Sequence, residues 1–419
     1  MPIKTYQLNS GVLKAIFVIV AVLSVIGAIF VAKWGFAYSA AARADTADVA
    51  ELAADFGPDD PQTHYALAVL SEKTFTADDI ERSIREFETA AALSPSNYIL
   101  WLDLGRARER NGDQAGAERA LRKALELAPN YSRVQWALGN ALLRQGKNDE
   151  AFAEIRKAVT GDANYTDAAA ITAWQILDGD IFQVRNAIGD STRANASLAT
   201  LLTGRKRFDE AFDTWNRLPG DEKKTTLKET GQALYKQFIE AGKYRYASRV
   251  GVQIGTIQNG GGIQNGGFEE PVGAQNSTIF TWQIADGANP RIGPTDGQKH
   301  NGNYSLLMSF GQSAKGIRHV SQTMTAEPGK SYVLEFFYRS DLKTQAKLKW
   351  EVVTAANGKL ITSTDSLSPA ADWTPVRVNL AIPSDVDGVT LRFAAEGCDP
   401  ATCSISGNIW FDDFSFKDT

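Results

Sequence analysis

The chain of 419 residues holds only two cysteines, three histidines and three methionines. His64, His300 and His319 are scattered, which leaves little material for a histidine-rich metal centre or a Ser/His/Asp engine. The cysteines sit together in Cys398-Asp-Pro-Ala-Thr-Cys403. A zinc site would need two more ligands, and none lies nearby. A local disulfide between Cys398 and Cys403 needs only an oxidising compartment, and so short a loop would pin a turn rather than stabilise a domain. Positive charge is lacking too. A net charge of -5 argues against a nucleic-acid partner, which requires a basic stripe to neutralise phosphates. No carboxylate pair stands in a recognisable catalytic cleft, so the chain reads as non-enzymatic.

The apolar and charged fractions, 43% and 22%, are those of an ordinary globular protein with room for two or three domains. After a short tail (1–11), the residues from Val12 to Ala32 are nearly all apolar, interrupted only by Lys14, Ser24 and Gly27. Ala15 to Ala32 carries no charge, which is near the minimum length for crossing a hydrocarbon core. Lys33 can snorkel and Trp34 can lie at the interface, so a transmembrane anchor is expected over 12–34. Lys4, Lys14 and the amino group precede the span, against Lys33 and Arg43 after it. That difference favours a cytoplasmic N-terminus and places the bulk of the chain in the periplasm or outside the cell. A cleaved signal peptide is the alternative, with small residues at Ser39 to Ala42, but its apolar core is usually ~7–15 residues.

A 34-residue period follows. Leu70, Leu104 and Leu138 keep it, as do Ala90, Ala124 and Ala158, and Phe87, Leu121 and Ile155. Gly105 matches Gly139, Gly112 matches Gly146, Ala117 matches Ala151, and Pro95 matches Pro129. Small residues such as Gly105 and Ala117 let paired helices approach, Trp101, Leu104 and Leu121 fill between them, and Pro129 ends the second helix. The segment from Tyr98 to Tyr131 resembles the tetratricopeptide repeat family, with Arg108 where that family usually has tyrosine. Three repeats are expected to begin near His64, Tyr98 and Ser132, and weaker helical signals at Ala211, Trp215, Leu234, Phe238 and Ala247 extend the repeat region over 44–250. Stacked pairs make a concave groove that binds a protein partner; its candidate residues are Asp103, Arg106, Arg110, Gln135, Asn140 and Arg144.

Residues 251–264 are glycine-rich and read as a linker. From 265 to 419 helical periodicity disappears. Strand-like runs such as Tyr332 to Tyr338 and Lys347 to Val353 alternate with turns such as Pro328-Gly329 and Asn357-Gly358, the pattern of a β-sandwich. The order Asn265-Gly-Gly-Phe268-Glu269, Trp282, His300-Asn-Gly-Asn-Tyr304, Gln322, Tyr332, Trp373 and Trp410-Phe-Asp412-Asp413-Phe414 resembles carbohydrate-binding modules of the galactose-binding-like jelly-roll type. The fold class expected is therefore multidomain: a transmembrane helix, an all-α solenoid and an all-β jelly roll.

That resemblance implies a structural calcium between the first and last strands, held by Glu269 and Asp412 with Asp413 beside them. The alternative is a hydrogen-bonded set of strand-end carboxylates without metal. Alternation places Tyr332, Leu334, Phe336 and Tyr338 inward, and Trp282 and Trp373 are also read as packing residues. The opposite face then carries Glu335, Phe337, Arg339, Lys349, Glu351, Arg377, Asn379, Arg392 and Glu396, a set suited to a charged polysaccharide or a protein. The leading expectation is a membrane-anchored envelope scaffold whose repeats bind protein and whose jelly roll binds polysaccharide, in surface-polysaccharide synthesis or export. The alternative is a structural assembly protein with protein-only contacts through both domains.

Overall fold

The computed structural model describes residues 10–74, 76–273, 278–311, 317–397 and 404–419. The expected Cys398–Cys403 disulfide lies outside the described residues. The chain divides into two compact units, Met1–Ala194 and Asn195–Thr419.

The first unit opens on α1 (Gly11–Arg43), one unbroken helix. Among the described residues it is the one helix long and apolar enough to cross a membrane, by length and composition. Its large apolar side chains from Val12 to Val31 are exposed. The last turns change role. Ala37 and Ala41 are buried where α2 (Ala47–Phe56) folds back on the helix. The expected anchor and the start of the solenoid are therefore parts of one helix, with no backbone break between 34 and 44.

Three helix pairs follow: α3 (Pro61–Ser71) with α4 (Ala77–Leu93), α5 (Tyr98–Arg110) with α6 (Gln114–Leu127), and α7 (Ser132–Arg144) with α8 (Asn148–Gly161). Asp60 and Asn97 cap α3 and α5 by accepting from the second helical N–H. The pairs are joined by a recurrent bond. The Trp101 Nε1 donates to the carbonyl of Pro95 at 3.0 Å, and the Gln135 Nε2 donates to that of Pro129 at 2.7 Å. His64 Nε2 lies 2.8 Å from the carbonyl of Pro58, six residues back like the other two.

The 34-residue phase holds on the second helices, where Phe87, Leu121 and Ile155 are all buried. It fails on α3. Leu67 and Ala68, not Leu70, take the place of Leu104–Gly105 and Leu138–Gly139. From Leu67 to Phe87 is 20 positions, whereas Leu104 to Leu121 and Leu138 to Ile155 are 17. The three extra residues are absorbed around the short 3₁₀ turn Glu72–Thr74. Hence the first pair begins at Pro61 rather than His64.

Gly105 and Gly139 set the spacing of the pairs. A Cβ on Gly139 would stand 2.7 Å from Ile155 Cγ1 and 3.1 Å from the carbonyl oxygen of Ala151. Gly139→Ala is accordingly expected to destabilise the helical region by about 1–3 kcal/mol, although alanine gains ~1 kcal/mol in helix propensity. Gly204→Ala, which meets no atom within 4 Å, is the control and should be neutral or mildly stabilising. Chemical unfolding followed by far-ultraviolet circular dichroism checks both; equal effects would refute the packing argument.

The first unit continues with α9 (Thr166–Ile176) and α10 (Ile181–Ile188). Helix α11 (Thr192–Gly204) leads into the second unit, which holds α12 (Phe208–Asn216), α13 (Gly220–Lys224), α14 (Lys228–Glu240) and α15 (Tyr244–Gln253). Trp215 and Phe238 are fully buried there, and Trp215 Nε1 donates to Gln253 Oε1 at 2.9 Å.

These last helices pack on the sandwich. A Cβ on Gly388 would sit 2.7 Å from the Tyr244 ring, and the Arg245 N–H donates to Asp387 Oδ2 at 3.2 Å. The glycine-rich stretch expected as a linker is packed as well. Ile257 is buried, Ser248 Oγ donates to the carbonyl of Gly260 at 2.8 Å, and Gln264 exchanges two bonds with the Gln322 amide. Of its glycines, Gly251 is required by close approach, a Cβ there standing 2.5 Å from Ile257 Cδ1.

Among the described residues eleven strands form the sandwich: β1 (Gln283–Ile284), β2 (Arg291–Thr295), β3 (Ser305–Phe310), β4 (Val320–Thr325), β5 (Ser331–Ser340), β6 (Lys343–Thr344), β7 (Lys347–Thr354), β8 (Leu360–Ser363), β9 (Ala370–Ala381), β10 (Gly388–Glu396) and β11 (Ile405–Asp418). One sheet runs β1-β4-β10-β7-β8 and the other β2-β3-β11-β5-β9, with β6 paired to β11; all pairings are antiparallel. Leu334, Phe336 and Tyr338 of one sheet meet Leu348, Trp350 and Val352 of the other, as alternation predicts.

Candidate functional site

The Asn265-Gly-Gly-Phe268-Glu269 motif is built into the end of the sandwich by β11. The Asn265 side chain closes its own loop, accepting from the Glu270 N–H and donating to the Glu270 carbonyl. Gly266 is required because a Cβ there would lie 2.0 Å from the Phe414 carbonyl oxygen. Phe268 enters the core against Trp282 and Phe414. To admit this segment, β11 bulges between Asp412 and Ser415, and Asp413 adopts a left-handed φ of 54°.

The three carboxylates next to that bulge all hold one turn, residues 298–304. Glu269 Oε1 accepts from the N–H groups of Asn303 (2.7 Å) and Tyr304 (3.1 Å). These bonds, that of Tyr304 foremost, keep the Glu269 carboxyl below its ordinary range. Asp412 is fully buried; its Oδ2 accepts from His300 N (2.8 Å) and Asn301 N (3.1 Å), and its Oδ1 from Asp413 N (2.8 Å). Asp413 Oδ2 lies 2.6 Å from His300 Nδ1. These three carboxylates act as hydrogen-bond acceptors for the turn; calcium held by Glu269, Asp412 and Asp413 would draw its remaining ligands from backbone carbonyls and water. Among the described residues, no group of three or more His, Cys, Asp or Glu side chains is placed to share a metal. Thermal unfolding in calcium against EDTA tests the metal: a calcium-dependent rise of several degrees shows that the folded site binds it, because a ligand stabilises the state that binds it, and a change below ~1 °C leaves the carboxylates as acceptors for the turn alone.

The turn delivers His300 onto the outer face of the β2-β3-β11-β5-β9 sheet. Its ring stacks on Phe337 (centroids 3.7 Å apart, planes at 14°) and meets Trp373 edge-on at 5.8 Å. Trp410 stands opposite Arg339 in the β11–β5 register. Asp412 follows opposite Phe337, and that row continues to Pro375 on β9. Arg339 Nη1 donates to Gln298 Oε1 at 2.8 Å, and Arg377 pairs with Glu335 at 3.2 Å. Phe337, Trp373 and Trp410 are half-buried and Tyr304 is exposed, so ring surface stays open beside guanidinium and amide groups. That is the constitution of a surface that stacks on flat apolar ligand faces and bonds hydroxyls or carboxylates around them.

This differs from the single face that alternation suggested. Glu335, Phe337, Arg339, Arg377 and Asn379 share the outer face just described, but Lys349, Glu351 and Arg392 lie on the other sheet. There they neutralise one another: Arg392 bonds Glu351 at 2.8 Å, and Lys349 reaches Glu351 at 3.4 Å and Glu396 at 3.1 Å. Trp282 is core, as expected, but Trp373 is not. Its parity on β9 with Arg377 and Asn379 is the signal that could have placed it outward. Trp410, flanked by the buried Ile409 and Phe411, is readable in the same way.

On the helical repeats, the groove candidates link neighbouring first helices. Asp103 accepts from Tyr65 Oη at 3.0 Å and lies 3.8 and 3.9 Å from Arg106 and Arg133. Arg110 pairs with Glu72, and Arg144 with Glu109 at 2.7 Å. Asn140 donates to the Trp136 carbonyl of its own helix. Gln135 is a correction: at 5% exposure its side chain is buried and spent on the bond to Pro129. Trp136, stacked on Tyr165 at 5.0 Å, was not anticipated beside these residues.

Comparison with known proteins agrees with both architectures. Residues 75–132 and 111–169 match the family model described as tetratricopeptide repeat, and residues 260–402 match that described as carbohydrate binding domain. A curated relative, the peroxisomal targeting signal receptor of Saccharomyces cerevisiae, is 28% identical over 101 residues, 24% of this chain. The match spans only 16% of that relative's length. Among solved structures, one described as "CBM4 structure and function" is 18% identical, covering 38% of this chain and 99% of its own, with a TM-score of 0.29. MamA from Desulfovibrio magneticus RS-1 is 14% identical, covering 45% and 84%, with a TM-score of 0.29.

Proposed function

For a chain that carries tetratricopeptide repeats and a carbohydrate-binding-type sandwich, both binding rather than catalytic domain types, we propose a non-enzymatic scaffold anchored by α1 in the cell envelope. Its repeats hold a protein partner and its sandwich holds a polysaccharide, in surface-polysaccharide synthesis or export. The N-terminus is cytoplasmic and the rest lies in the periplasm or outside the cell. The observation that carries the glycan half is the aromatic surface of His300, Phe337, Trp373 and Trp410 beside the Arg339–Gln298 pair.

The test is a titration of the full chain in detergent or nanodiscs with purified surface polysaccharides. Trp373→Ala is expected to weaken binding by about 10-fold or more, which corresponds to ~1.4 kcal/mol. Lys349→Ala, on the opposite sheet, should leave it unchanged. Absence of binding tighter than millimolar would remove the glycan half. Protein crosslinks formed from position 337 would then support an assembly protein with protein-only contacts.

A further inference from the structure

We propose that the first helical hairpin, the end of α1 with α2, is seated in the lipid headgroup layer, so that the solenoid begins inside the membrane interface rather than beyond a free linker. This rests on the reading of α1 as a membrane span. Helix α1 runs without interruption from the apolar segment into the hairpin, where Ala37 and Ala41 are buried. The connection Ala44-Asp45-Thr46 is short, so α2 returns antiparallel along α1. Two contacts confirm the direction. The rings of Phe36 and Phe56 lie 5.6 Å apart, and a Cβ on Gly57 would stand 2.7 Å from that of Ala37. The C-terminal end of α2 is therefore level with the end of the span.

At that level the surface is apolar and uncovered. Trp34, Phe36 and Tyr38 on α1 and Leu52 and Phe56 on α2 are exposed, with Phe36 at 55%, Leu52 at 51% and Phe56 at 42%. Such aromatic clusters at the end of a span suit the interface, where amphipathic and aromatic groups sit at headgroup depth. Helical rise places Phe36, and Phe56 beside it, ~3 Å past Trp34, and Leu52 ~6 Å farther out. Phe36 and Phe56 therefore fall within a headgroup layer of roughly 5–8 Å on each side of the hydrocarbon, and Leu52 stands at its outer edge. Asp55 and Asp59 are exposed nearby and Lys33 is exposed beside Trp34, a set with no basic cluster to draw anionic lipid.

The test uses the full chain, with Cys398→Ser and Cys403→Ser, reconstituted at one copy per nanodisc of zwitterionic lipid. A fluorophore is attached at Phe56→Cys, Leu52→Cys, Ile26→Cys or Glu126→Cys, and nitroxide is carried on the headgroup or the acyl chain. Circular dichroism confirms that each variant is folded. Headgroup nitroxide is expected to quench positions 56 and 52 at least twofold more than position 126, while acyl nitroxide quenches position 26. If position 26 is quenched and 56 and 52 match 126, the headgroup seating is wrong and the anchor stands. If position 26 is not quenched, the anchor reading fails and this inference with it. Quenching at 56 confined to discs holding two copies would assign the surface to a second copy and overturn the lipid assignment.

Discussion

Asp412→Ala is expected to destabilise the sandwich by about 3 kcal/mol, since it removes the acceptor of three partly buried hydrogen bonds and bonds to a charged group contribute ~1.5–3 kcal/mol each. The carboxylate is fully buried and accepts three backbone N–H groups, those of His300, Asn301 and Asp413. Its loss frees the turn that carries His300 onto the binding face, so ring order at Phe337 and Trp373 should fall together with stability. Asp412→Asn keeps one carbonyl oxygen for the turn and should cost less than alanine. Its pH behaviour separates the two effects. Burial, the larger influence, raises the Asp412 carboxyl above its ordinary value of 3.8, against the opposing pull of the N–H donors. The folded state then holds this proton more tightly than the unfolded chain. The contribution to stability is greatest below 3.8 and falls as pH rises through the folded value. Asp412→Asn cannot titrate and should flatten that part of the stability–pH profile. Urea unfolding across an acidic pH series reads both quantities. An alanine variant as stable as the parent would show that the turn is held by other contacts.

Trp350→Ala should have a comparable or larger effect, about 3–5 kcal/mol for removing a fully buried large aromatic. Trp350 has no solvent exposure. Its ring lies between 5.1 and 6.4 Å from those of Phe414, Phe411, Phe393, Trp282 and Phe336, so it joins residues of both sheets. Trp350→Phe tests what kind of loss this is. Among the described residues the Trp350 Nε1 finds no hydrogen-bond acceptor, so phenylalanine removes volume but breaks no bond and relieves a buried unpaired donor. It should recover most of the stability lost in the alanine variant. Near-ultraviolet circular dichroism and thermal unfolding check the series. A phenylalanine variant as damaged as alanine would mean that the indole N–H matters.

The aromatic face shows where local pattern stops being sufficient. Period-2 alternation correctly turns Leu334, Phe336, Leu348, Trp350 and Val352 inward, because successive side chains on a strand must point to opposite sides. The same parity marks Glu335, Phe337, Lys349 and Arg392 as outward. It does not tell which sheet each strand joins. β5 and β7 are separated in sequence only by the two-residue β6 but lie in different sheets, so the outward residues of one face away from those of the other. Charges that look like one mixed surface are therefore a self-neutralised ladder on one side and an aromatic surface on the other.

The sequence by itself determined what short-range periodicity dictates. The apolar run of α1, the 34-residue phase of the second helices, the small residues at Gly105 and Gly139 and the strand alternation all follow from the 1.5 Å rise, the 3.6-residue turn and the two-residue pleat. Only the tertiary structure decided the rest, because those features depend on partners distant along the chain. It set Leu67 rather than Leu70 into the first repeat, once three residues had been absorbed in the Glu72–Thr74 turn. It packed the glycine-rich stretch through the Gln264–Gln322 bonds. It brought Glu269, Asp412 and Asp413 together as acceptors for one turn. And it brought His300, Phe337, Trp373 and Trp410, drawn from a turn and three strands, onto one face, through antiparallel pairing that no local spacing encodes.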